Sequence, residues 1–166
     1  MTRHRLAGSA RSVRGFTMTE LLVVVAILGI IMAVGAPAIW TYFRVATMRA
    51  GAEELVTALN SARELAIRSN TTVCVTNDNV RLRYRLGNCN TGAIWTGPGT
   101  DAAGNVALAN NLRVSSNQPT LCYSYLGAGS PTPANCFNES IFTVTNPAGG
   151  QTMTVQVAAT GRARIQ

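Results

Sequence analysis

The chain has 166 residues, 47% apolar and 13% charged, enough for one domain with additional segments. All 14 basic residues are arginine against 7 acids, a formal charge of +7. The one histidine is His4 and there is no lysine, so past the first few residues no imidazole or amine is present to act as general base or nucleophile, and an enzyme is not expected.

The basicity is uneven. Arg3, Arg5, Arg11 and Arg14 crowd the start, and without them ten arginines face the seven acids, a charge of about +3. Residues 1–15 read as a basic leader ending at Gly15. Phe16 follows, then Glu20, then the stretch Leu21–Trp40 with no charge. That is about the length a helix needs to cross a bilayer, and a lone segment in lipid satisfies its backbone only as a helix. Basic residues stay on the cytoplasmic side, which sends the rest of the chain across the membrane. Glu20 at the first turn complements the helix dipole. Drawn into the hydrocarbon core it would cost roughly 2.5–3.5 kcal/mol. An ordinary secretory signal cut among the small residues Ala33–Ala38 is the competing reading. Glu20 at the front of the apolar stretch and Pro37 beside the most obvious cut argue against it.

The segment Gly15-Phe16-Thr17-Met18-Thr19-Glu20-Leu21-Leu22 resembles the processing site of type IV prepilins and type II secretion pseudopilins. The resemblance spans residues 14–40. It implies that a prepilin peptidase cuts after Gly15 and that Phe16 becomes the N-methylated terminus. It also implies that Glu20 pairs with the N-terminal amine of a neighbouring subunit during assembly. Pro37 stands where that family carries a helix-kinking proline. The implied partners are other pilin subunits, the peptidase, and the inner membrane before assembly.

The implied domains are a leader (1–15), a transmembrane and assembly helix (16–40) and an exported globular head (41–166). The helix continues in the head to about residue 70. There Leu55, Ala58, Leu59, Ala62, Leu65 and Ala66 recur at three- and four-residue spacing, one apolar stripe. Upstream, Ile39, Tyr42, Phe43 and Val45 extend the apolar surface. Glu64 and Arg68 stand four apart in the favourable order, and Gly51 is a soft point.

From Thr71 the texture becomes short β-rich runs between turn signals. The runs are Thr71–Thr76, Val80–Leu86, Ala93–Thr96, Leu112–Ser115, Leu121–Leu126, Ser140–Thr145, Thr152–Val157 and Arg162–Ile165. Ser140–Thr145 and Thr152–Val157 form a hairpin across Asn146-Pro147-Ala148-Gly149-Gly150. In Val80–Leu86 the alternation puts Val80, Leu82, Tyr84 and Leu86 on one face and Arg81, Arg83 and Arg85 on the other. Antiparallel sheets packed on the upper half of the helix, an α+β fold, bury both apolar faces.

Cys74, Cys89, Cys122 and Cys136 are an even set in an exported domain, which implies disulfides. Three pairings are possible. Cys122 and Cys136 bracket a Pro/Gly-rich loop and pair, leaving Cys74 with Cys89. Each bridge closes a loop of about 15 residues and contributes roughly 3 kcal/mol in the chain-entropy model. No Cys-x-x-Cys spacing marks a metal site, and no cofactor is expected. Gly97-Pro98-Gly99 lacks the lysine of a phosphate loop.

Two arginine groups remain: the stripe Arg81, Arg83, Arg85, and Gly161-Arg162-Ala163-Arg164. In an extended segment Arg162 and Arg164 point the same way, and each guanidinium is a planar fork suited to phosphate oxygens. Either group also serves as a solvated face that protects a sheet edge. The chain from Phe16 onward resembles the FimT/GspH group of minor pilins and pseudopilins. FimT-type members from naturally competent bacteria carry a C-terminal Gly-Arg-x-Arg motif that contacts DNA, and Gly161, Arg162 and Arg164 match it. The resemblance implies a minor pilin that sits in the inner membrane with a periplasmic head, then in a fibre at the cell surface. There it would bind DNA without sequence preference and assist uptake; the arginine stripe, outside the matched motif, reads as a protective strand face or as a second contact. The other implied role is structural: a type II secretion pseudopilin, or a minor pilin that primes assembly without binding DNA.

Overall fold

The computed structural model describes residues 15–166. Residues 1–14 of the leader, with its arginines and His4, lie outside the described residues, as do the side chains of Pro37 and Ala38 and with them the proline kink. The chain divides into two compact units, one ending at Thr41 and one running from Tyr42 to Gln166.

A helix, α1 (Met18–Ser69), contributes to both units. In the first unit its surface is almost wholly exposed and apolar, from Leu21 through Val34 to Trp40. This stretch is long and apolar enough to cross a membrane.

In the second unit α1 changes character. Met48, Ala52, Leu55, Ala58, Leu59, Ala62 and Ala66 are buried, with Leu65 half-buried, so the stripe read from the spacing is the packing face. Glu64 and Arg68 form the expected pair at 3.1 Å. Gly51 is a close-approach position rather than a soft point. The helix runs through it, and a Cβ there would collide with the Leu112 side chain. A residue that weakens a helix is placed where only its lack of a side chain lets the strand layer come near.

The strands are β1 (Val73–Asn77), β2 (Arg81–Leu86), β3 (Ala93–Ile94), β4 (Asn105–Ala107), β5 (Arg113–Ser116), β6 (Thr120–Tyr123), β7 (Ser140–Thr145), β8 (Thr152–Val157) and β9 (Ala163–Ile165). They form two antiparallel sheets. The first has the order β3-β2-β1-β6, with β4 also on β2; the second has the order β5-β7-β8-β9.

In the first sheet Val73, Val75, Leu82, Tyr84, Leu121 and Tyr123 are buried on one face. The Tyr84 hydroxyl donates to the Ala58 carbonyl of α1 at 2.9 Å, and burial pushes this phenol well above its ordinary range. The second sheet adds Val114, Phe142, Val144, Val155 and Val157 to the same core. Every buried residue of this core lies between Met48 and Val157, so the second unit carries its own core.

The hairpin β7–β8 has the bounds read from the sequence. Two runs differ. Leu121–Leu126 ends early, because Ser124 N–H turns back onto the Ala128 carbonyl and leaves Tyr125 and Leu126 exposed. Val80 stands outside β2 and is 46% exposed, so the apolar face of that strand begins at Leu82.

Candidate functional site

Three groups of residues carry functional expectations, and their geometry separates them.

At the N-terminal end, Glu20 closes a reciprocal cap. Its Oε2 accepts from the Thr17 backbone N–H at 3.1 Å and from the Thr17 hydroxyl at 3.0 Å. Glu20 N–H in turn donates to the Thr17 hydroxyl oxygen at 3.3 Å. This is the capping box of a Thr-x-x-Glu sequence, a signal legible at Thr17-Met18-Thr19-Glu20 that the composition of the apolar run conceals. Both bonds fall on Oε2. Gly15 and Phe16 lie just ahead of the cap, both exposed.

The arginine stripe on β2 is tied into the head. Arg83 aims Nε and Nη2 at Asn105 Oδ1, at 3.0 and 2.7 Å. Arg85 Nη1 donates to the Gly92 carbonyl at 3.0 Å, and Arg81 Nη1 lies 3.7 Å from Asp101 Oδ2. Asp101 takes the Asn105 amide on both carboxylate oxygens and the Asn105 backbone N–H at 2.8 Å. The Asn105 side chain, then its backbone N–H, hold the Asp101 carboxyl below the usual carboxylate range. Arg83 thus commits two of its five N–H donors and Arg85 one, while half-exposed Arg81 holds only the 3.7 Å ion pair, so the stripe is partly engaged within the fold. Neither Asp101 nor Asn105 was marked as a partner in the sequence, since both are about twenty residues from the stripe.

The C-terminal pair is differently placed. Residues Ala158–Gly161 make the turn between β8 and β9: Gly161 N–H donates to the Ala158 carbonyl at 2.8 Å, and Ala158 N–H to the Arg162 carbonyl at 3.1 Å. Gly161 has φ +79, and the room a Cβ would need is occupied by the Gly127 carbonyl. Beyond the turn, register sets Arg164 opposite Gln156 on β8. Arg162 and Arg164 are both exposed and, with Gln156, Ala158 and Thr160, line one surface hollow of about 340 Å³. Neither guanidinium has a hydrogen bond or ion pair among the described residues, so both forks face solvent.

Their sheet face extends the site. Gln156 pairs with Ile141, Thr143 with Ser115 and Thr154, and Thr145 with Arg113 and Thr152. The outer face of this sheet therefore reads Ser, Thr, Gln, Ile and Arg, with no acid at these positions. Arg113, on the opposite edge strand, is exposed and also without a partner among the described residues. Sequence reading passed over it because a lone arginine at a strand start shows nothing until register puts it on the same face.

The four cysteines pair as expected, Cys74 with Cys89 and Cys122 with Cys136, with Cα separations of 5.3 and 5.4 Å. All four are buried.

A helix whose first half is exposed and apolar and whose second half underlies two antiparallel sheets defines the pilin-like class. Residues 51–161 match the family described as type II transport protein GspH, and residues 10–36 match the prokaryotic N-terminal methylation motif. The chain belongs to the GspH family. The match ends at Gly161, so Arg162 and Arg164 fall just beyond it. Among solved structures the chain is similar to the minor pseudopilin EpsH from the type 2 secretion system of Vibrio cholerae, with TM-score 0.52 and 16% identity over 72% of this chain and 95% of that one. It is also similar to the type IV minor pilin FimU of Pseudomonas aeruginosa PAO1, with TM-score 0.49 and 18% identity over 75% and 92%. None of the curated proteins matches the chain in sequence. The protein is accordingly a pilin-like member of the type II transport GspH family that carries an N-terminal methylation motif on a helix long and apolar enough to cross a membrane.

Proposed function

We propose that this chain is a minor pilin of a type IV pilus whose head binds DNA without sequence preference and so assists uptake of external DNA. The observation that carries the reading is the contrast between the two arginine groups. Arg83 and Arg85 hydrogen-bond within the fold and Arg81 lies 3.7 Å from Asp101, whereas Arg162 and Arg164 share a hollow lined by no acid and have no hydrogen bond or ion pair among the described residues. Arg164 also borders a second hollow with Glu53, which itself pairs with Arg49. Unfilled planar forks on one face suit phosphate oxygens, which carry affinity but no sequence information. Contacts of that kind give dissociation constants typically of 10⁻⁴–10⁻⁶ M at physiological salt.

The rest of the proposal concerns maturation and place. A prepilin peptidase removes residues 1–15, Phe16 becomes the methylated terminus, and the Glu20 carboxylate receives the amine of a neighbouring subunit. The protein passes from the inner membrane to a surface fibre and performs no enzymatic step.

Residues 42–166 titrated into labelled duplexes of unrelated sequence test the DNA reading. Weak binding of similar strength to all of them, lost in the Arg162→Gln/Arg164→Gln variant, is the expected result. No binding by the unaltered head favours the second reading, a structural subunit of a type II secretion pseudopilus. That reading draws on the family description and on the matched region stopping short of the arginine pair.

A further inference from the structure

The four cysteines do more than make two separate bridges. Cys74 on β1 and Cys122 on β6 are directly opposite in the strand register, so both side chains leave the same face of the first sheet. Cys89 and Cys136 come down onto that face from loops. As a result the two disulfides are stacked against each other: Cys89 Sγ is 3.1 Å from Cys136 Sγ and 3.3 Å from Cys122 Sγ, and Cys74 Sγ is 4.0 Å from Cys136 Sγ. All four sulfurs lie within 4.8 Å of one another and all four residues are buried.

A zinc ion held by four thiolates at about 2.3 Å sets its sulfurs about 3.8 Å apart on a tetrahedron. The cross-bridge separations already bracket that edge. Opening the two bonds lets the bonded sulfurs move out toward it, while the strand-borne pair Cys74 and Cys122 stays fixed. One cation also stands on this face, offsetting part of the net −2 of a zinc tetrathiolate. Arg85 is the register partner of Cys74 on β2 and shares its face, and a nearby cation favours the thiolate form. Soft thiolates select zinc and similar soft ions over hard ones.

We propose that, in its reduced form, this chain binds one zinc ion through Cys74, Cys89, Cys122 and Cys136, so that the same four sulfurs close the head either as two disulfides or as one metal centre. The balance is as follows. Two equivalents of a phosphine reductant supply four electrons. Two waters supply the oxygens of the phosphine oxides and the four thiol protons. Zinc then binds four thiolates, and their four protons go to solvent.

The site is absent from the sequence pattern because metal spacings of the Cys-x-x-Cys kind join ligands local in sequence, whereas here register and loop return bring together residues 14 to 62 positions apart.

The test uses the full chain in detergent, reduced without oxygen by a phosphine and titrated with Co²⁺ as a coloured stand-in for Zn²⁺. The expected result is one Co²⁺ per chain, with the visible bands of a tetrahedral tetrathiolate, bleached by one equivalent of Zn²⁺. Cys89→Ser/Cys136→Ser should lose those bands. The proposal is overturned if the reduced, still folded chain takes up no stoichiometric Co²⁺, or if the double variant shows the same bands. Where reduction alone unfolds the head, recovery of its β-sheet circular dichroism on adding Zn²⁺ upholds the site, and failure to recover overturns it.

Discussion

The carbonyl of Gly127 occupies the space that a side chain on Gly161 would need. Two loops distant in sequence meet there: Arg63 Nε donates to the same Gly127 carbonyl at 2.6 Å, and Gly129 N–H donates to the Ala159 carbonyl at 2.9 Å. The glycine ahead of the two arginines is therefore required twice over, by its positive φ and by a backbone in close contact. Gly161→Ala should destabilise the head by about 1–3 kcal/mol and, by displacing the β8–β9 turn, weaken DNA binding although both arginines remain. Denaturant unfolding and a DNA titration of this variant check both effects. Unchanged stability would mean the turn relaxes freely.

The Arg83–Asn105–Asp101 chain predicts a separation of stability from binding. Asn105 is 7% exposed, and Arg83→Gln removes the donors to its carbonyl oxygen, a loss of about 1–3 kcal/mol for an orphaned buried acceptor. DNA affinity should not change. A stable Arg83→Gln head with reduced affinity would return the stripe to the binding surface.

Asp101 gives the same network a pH dependence. Its folded carboxyl titrates below the ordinary value, first because of the Asn105 side chain. The unfolded chain thus takes up the proton first as pH falls. The contribution is fully present above the ordinary carboxylate pKa of about 3.9 and is lost as pH drops through the folded value. Thermal unfolding of residues 42–166 should show a steeper loss below about pH 4 than Asp101→Asn does. Parallel curves would remove Asp101 from the account.

The cap on α1 separates two roles of Glu20. Thr17→Ala deletes the hydroxyl bonds but keeps the carboxylate, whereas Glu20→Ala removes the charge. If the carboxylate serves a neighbour's amine, Glu20→Ala should abolish incorporation into fibres and Thr17→Ala should reduce it little, with both proteins still inserted in the membrane. Equal defects would assign Glu20 to helix capping alone. Mass spectrometry of the incorporated protein should give a chain beginning at methylated Phe16.

Much of the head was legible in the sequence, for a physical reason. Strict alternation in Arg81–Leu86 and in Thr152–Val157 exceeds what chance gives, and the turn Asn146-Pro147-Ala148-Gly149-Gly150 marks the β7–β8 hairpin. The cysteine pairing followed from the Pro/Gly-rich loop that Cys122 and Cys136 bracket, which left Cys74 for Cys89. What escaped depended on partners far along the chain. Strand β4 is three residues long, too short to show a period, and it is held by register with β2. Gly51 read as a helix weakness because Leu112, which needs its missing side chain, is 61 residues away. The difference between the arginine groups was equally invisible: sequence shows the charges, but only the fold shows which are already spent.

The measurement that bears most directly on the central claim is the salt dependence of DNA binding by residues 42–166 and by the Arg162→Gln/Arg164→Gln variant. Each phosphate contact contributes about 0.9 to the slope of log affinity against log salt for duplex DNA. Two lost contacts should flatten the slope by about 1.8 for every sequence tried, and adding Arg113→Gln should flatten it further by about 0.9 if the whole outer sheet face takes part. A slope and affinity unchanged by removal of both C-terminal arginines would contradict the account.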